Sequence, residues 1–72
     1  MSTLLNENKY QRHHLSASYF KRIDNRKVVL FRFGTKIKVL KRLYEGTDFT
    51  TKEEIYDDIT VAVRNCNKWL EN

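Results

Sequence analysis

The chain has 72 residues, 40% hydrophobic and 12% aromatic, with no proline, two glycines and a formal net charge of +5. That length allows one small core, and that hydrophobic content excludes wholesale disorder. The lone cysteine, Cys66, excludes an internal disulfide framework, and the longest apolar run, residues 28–31, is far too short to span a bilayer. Residues 1–8 carry no basic stretch leading into an apolar one, so no secretory signal is expected. Together with the single thiol this points to a soluble protein of the reducing cytoplasm, with no membrane partner.

Along the chain, residues 1–14 read as an arm or a short amphipathic helix using Leu4 and Leu5, and residues 15–72 as one β-β-β-α domain. Residues 15–23 form a first strand, closed by a turn at Asp24-Asn25. Residues 27–33 are β-branched and aromatic, and residues 36–44 alternate basic with apolar. Gly34-Thr35 between them suits a two-residue type II′ hairpin turn, in which the first position has positive φ. Ile55, Ile59, Ala62, Val63, Cys66 and Leu70 then fall on one stripe at helical spacing, with Trp69 beside it as a lid over the sheet. Thr50 and Thr51, each followed three places later by Glu53 or Glu54, make capping boxes, so a helix is expected over residues 52–70. The predicted fold class is α+β: a three-stranded antiparallel sheet packed on one C-terminal helix.

The charges are sorted along this order. Residues 9–42 hold eleven Lys and Arg against one acid, Asp24, whereas residues 43–72 hold three basic residues against seven acids. With Phe33 paired to Lys36 and Ile23 to Arg26, side-chain alternation divides the strands into two faces. Leu15, Ala17, Tyr19, Val28, Leu30, Ile37, Val39 and Leu43 share the face that seats the helix. The other collects Ser18, Phe20, Arg22, Lys27, Val29, Phe31, Phe33, Lys36, Lys38, Leu40, Arg42 and Tyr44, with no acid expected among them. Cations replace counterions on phosphates, and flat side chains contact bases or sugars. Arg22, Lys27, Lys36, Lys38 and Arg42 are candidates for the first role, and Phe20, Phe31, Phe33 and Tyr44 for the second. Arg22 and Arg42 suit base edges best, because a guanidinium bonds bidentately to guanine. The alternative is an open sheet whose lysines discourage edge pairing and whose rings are covered by the N-terminal segment or a second subunit.

No catalytic constellation emerges, so an enzyme is not expected and no cofactor is implied. His13-His14 are adjacent and have no second Cys or His cluster, which argues against a metal. Cys66 lies within the helix stripe as a small core residue. Glu53, Glu54, Asp57 and Asp58 read as a dipole-compensating helix start, and Gly46-Thr47-Asp48 is no phosphate loop.

The strand-strand-strand-helix order, with Gly46, Phe49, Thr51, Glu53 and Glu54 at the junction, resembles a group of DNA-binding domains. These are the plant ethylene-response-factor type and the phage integrase arm-binding type. The resemblance implies a sheet that enters the major groove, with the helix supporting it from behind. The helix-sheet-helix order of the double-stranded RNA-binding domain is also similar, but four acids occupy the place where that family grips phosphate. The expected function is therefore nucleic-acid binding, double-stranded DNA favoured over RNA, by a small protein of phage or mobile-element type. The rivals are a module that binds an acidic host protein and modulates it, and a structural homodimer packed sheet to sheet. Either a monomer or a homodimer fits.

Overall fold

The computed structural model describes residues 5, 8–12 and 18–72 and is an antiparallel sheet with one C-terminal helix. The sheet has five strands, not three: β1 (Gln11–Arg12), β2 (Ser18–Ile23), β3 (Arg26–Phe33), β4 (Lys36–Glu45) and β5 (Asp48–Tyr56), in that spatial order. Helix α1 (Ile59–Glu71) packs on one face.

Three two-residue turns build the meander, and each has positive φ at its first residue: Asp24 (54°), Gly34 (59°) and Gly46 (65°). A Cβ at Gly34 or Gly46 would meet nothing within 4 Å, so backbone conformation alone calls for glycine there. The expected pairings Phe33 with Lys36 and Ile23 with Arg26 are both present. Asn25 ties its turn to β4, accepting from the Tyr44 backbone N at 2.8 Å and donating from Nδ2 to the Tyr44 carbonyl at 3.2 Å.

The expected start of the helix is corrected by seven residues. Residues 52–56 belong to β5, and α1 begins at Ile59 with Asp58 as its N-cap, its carboxylate accepting from the Thr60 backbone N at 2.7 Å. Thr50 and Thr51 pair with Leu43 and Arg42 across the sheet instead of capping a helix. Ile55 leaves the helix stripe and is 52% exposed on β5. The residues at the expected strand-to-helix junction, Gly46 to Glu54, form a third hairpin turn and most of this strand. Ten-residue β4 offers a full-length partner, and its pairing overrides the local helix preference of Lys52, Glu53 and Glu54.

Inside, Ala62, Val63, Cys66 and Leu70 of α1 meet Val28, Leu30, Ile37 and Val39 of the central strands. Leu5 and Tyr10 join this core, while Tyr19, Ile23, Tyr56, Ile59 and Trp69 pack around it. Cys66 is fully buried and its thiol is pushed up to about 11, chiefly by burial. The Tyr10 hydroxyl donates to Asn67 Oδ1 at 3.0 Å, and burial followed by the nearby Cys66 raises its pKa far above the ordinary tyrosine value. The Leu15 and Ala17 face positions, His13, His14, and most of the expected N-terminal arm or helix lie outside the described residues.

Candidate functional site

Strand register gives the outer face, opposite α1, a definite layout. Cross-strand partners share a face, so the pairings Arg22 with Lys27 and Lys27 with Arg42 line three cations across β2, β3 and β4. Thr51 of β5 continues the row. Toward the Gly34 end the next row is Gln11, Phe20, Val29, Leu40 and Glu53. Beyond it come Ser18, Phe31, Lys38 and Ile55, and then Phe33 with Lys36. On the opposite side of the cation row stand Tyr44 and Phe49, themselves cross-strand partners. All eight expected site residues therefore share one face, as do Phe33 and the other strand residues assigned to it.

The expectation that no acid joins this face is corrected by β5. Glu53 reaches Lys38 Nζ at 3.6 Å, and Asp57, just past the strand, pairs with Lys36. On the other face Glu54 binds Lys41 at 2.7 Å. Of the four acids expected to start a helix, Asp58 does cap α1, whereas Glu53, Glu54 and Asp57 lie in or beside an edge strand, set against the lysines of its neighbour. Charges segregated in sequence become ion pairs in space.

This pairing splits the five candidate cations into two groups. Lys36 and Lys38 have acidic partners. Among the described residues, no ion pair reaches Arg22, Lys27 or Arg42. Each of the three lies over an aromatic ring instead: Arg22 over Tyr44 at 4.6 Å, Lys27 over Phe20 at 5.2 Å and Arg42 over Phe49 at 5.3 Å. Arg22 is further fixed by donating from Nε to the Asp24 carbonyl at 3.0 Å. Among the described residues nothing accepts from the shielded Nε of Arg42. Lys38 lies 5.7 Å from the Phe31 ring and 5.2 Å from the Phe33 ring. Such contacts hold long side chains against the sheet while leaving their charge unneutralised.

Phe49 is the site residue that the sequence reading placed elsewhere. It is 52% exposed, and its ring centre lies 5.5 Å from that of Tyr44 at an interplanar angle of 46°. The signal for it was the Gly46-Thr47 dipeptide, which repeats Gly34-Thr35 and makes the same kind of turn.

A crevice of about 300 Å³ lies where the β3–β4 turn meets the start of α1, lined by Lys36, Asp57 and Asp58 among others. Its charged groups are already engaged, Lys36 with Asp57 and Asp58 as the helix cap. Among the described residues no three His, Cys, Asp or Glu side chains are grouped to hold a metal, and no helix is long and apolar enough to cross a membrane.

No protein-family model matches the chain, nor does any curated protein or solved structure.

Proposed function

We propose that the outer face of the sheet binds nucleic acid. The observation that carries this reading is the Arg22–Lys27–Arg42 row, three cations on adjacent strands with no carboxylate partner among the described residues and with aromatic rings on both sides. A surface that only had to stay soluble would mix the two signs, as this fold does along β5. An uncompensated row invites a polyanion, and the interleaved rings favour one that also offers flat, apolar groups. The test is fluorescence anisotropy of labelled oligonucleotides titrated with the protein over a range of salt. Binding should weaken as salt rises, with a log–log slope of about −2 to −3 for three phosphate contacts. Absence of binding at low salt, or binding indifferent to salt, overturns the proposal.

One observation favours a homodimer as a second reading, paired edge to edge and not sheet to sheet. Strand β5 is a nine-residue edge with unbroken register, and its two large apolar residues, Phe49 and Ile55, are each 52% exposed. A long exposed edge is a template for another strand. Antiparallel pairing of two copies about Lys52 would set Phe49 against the second copy's Ile55 twice, with the two Lys52 opposed. Concentration-dependent dimers in sedimentation, without nucleic-acid binding, would favour that reading over the first.

A further inference from the structure

Resting on the nucleic-acid reading, we infer that the ligand is a single strand laid across the sheet along Arg22, Lys27 and Arg42, not a duplex. The first argument is width. The four long strands span about 14 Å between their outer axes, at about 4.8 Å per step, before any side chain is counted. The major groove of B-form DNA is roughly 12 Å wide. A three-stranded sheet fits in it; this sheet does not lie flat there.

The second argument is what the rings need. Tyr44 and Phe49 flank the cation row on one side, and Phe20, Val29 and Leu40 on the other. Rows on one face lie about 7 Å apart, two residues along a strand. A backbone following the cations therefore has apolar and aromatic surface within a nucleotide's reach on either side. Duplex bases present only their edges to a protein, whereas a single strand presents their faces, which stack on aromatic rings and guanidinium planes.

The third argument is direction. Lys36 and Lys38, at the Gly34 end, are paired with Asp57 and Glu53, so the uncompensated charge runs across the strands and not along them. It begins at Arg22 on β2 and ends at Arg42 on β4, beside Thr51 of the acid-bearing strand. A path along β4 would instead pass the acids that neutralise its lysines.

The experiment compares a labelled oligothymidylate with a duplex of equal length, both titrated with the intact chain in anisotropy measurements. The single strand should bind at least about tenfold tighter, with a salt slope near −2, about −0.7 for each of three phosphates. Replacing Arg22, Lys27 and Arg42 together by Gln should cost at least about tenfold and bring the slope toward zero. Phe49→Ala should weaken binding by about five- to a hundredfold with the slope unchanged, because it removes stacking and not charge. K36Q/K38Q should stay within about twofold. Duplex binding equal to or tighter than single-strand binding overturns the inference and leaves the nucleic-acid reading standing; failure of both ligands overturns the two together. The comparison of ligands needs no variant. If K36Q/K38Q loses as much as the triple variant, the assigned path is wrong even where the single strand wins.

Discussion

The two faces of the sheet are built from the same strands, and they use charge in opposite ways. On the face under α1, Lys41 is 9% exposed and its ammonium is held by Glu54 at 2.7 Å. Glu54 also accepts from the Tyr56 hydroxyl at 2.6 Å, and Lys52 approaches its other oxygen at 3.5 Å. One residue along β4 from Lys41, the side chain turns outward, and Arg42 lies over the Phe49 ring with no carboxylate partner among the described residues. Alternation alone separates a satisfied ion pair from an open cation. The lesson is that net charge says little here; which charges β5 reaches decides what each face can do.

The sharpest difference to test is in packing. Leu30 is 1% exposed beneath the helix, whereas Leu40 lies half-buried on the outer face. Leu30→Ala should cost about 3 kcal/mol in urea denaturation, the loss of a buried side chain plus the cavity left behind. Leu40→Ala should cost less than about 1 kcal/mol. Equal losses would break the comparison, since they would mean that something also covers the outer face, a second copy being the first suspect.

A smaller effect separates the two faces by pH. Hydrogen bonding from Lys41, and then from Tyr56, holds the Glu54 carboxyl down to about 2, overcoming the opposing effect of burial. Its pKa is lower folded than unfolded, so its contribution is complete above the ordinary value of 4.5 and is lost as pH falls toward 2. Glu54→Gln should cost about 2 kcal/mol at neutral pH, because Lys41 loses its charge partner, and should flatten the acid limb of the stability profile. Glu53→Gln removes only an exposed partner of Lys38 and should cost under about 0.5 kcal/mol. An acid limb unchanged in Glu54→Gln would show that another group titrates there.

Much of this arrangement was legible in the residues. The two-residue turns at Asp24-Asn25 and Gly34-Thr35 set the β2–β3–β4 register, and register placed every expected site residue on one face. The two strands beyond the expected three, β1 and β5, were less legible, for different reasons. Gln11–Arg12 is too short to show a periodicity. Residues 48–56 are ambiguous because Ile55, Ile59, Ala62 and Cys66 fit a helical period as well as Phe49, Thr51, Glu53 and Ile55 fit a strand. The sequence at 50–54 also satisfies a capping pattern, while the cap in use, Asp58, has no Glu or Gln three residues on. What decides is β4, whose ten residues leave an edge to be paired and whose lysines meet Glu53 and Glu54. That is tertiary information, and it put Glu53 and Glu54 on β5 and not on the helix.

The smallest expected effect tests the comparison most directly. If the outer cations serve a ligand and not the fold, removing them should leave stability nearly unchanged. Replacing Arg22, Lys27 and Arg42 together by Gln gives up three ring contacts worth about 0.5–1 kcal/mol each at exposed sites. It also relieves the mutual repulsion of three like charges on adjacent strands, where directly opposed cations are unfavourable by about 0.2–1 kcal/mol per pair. The ring contacts outweigh the relief of two opposed pairs, so the net change in urea midpoint should correspond to a loss of about 1 kcal/mol. Added salt should stabilise the native protein more than this variant, since screening helps only where repulsion remains. A loss of several kcal/mol would mean that the row braces the sheet, and its lack of carboxylate partners would no longer argue for a ligand.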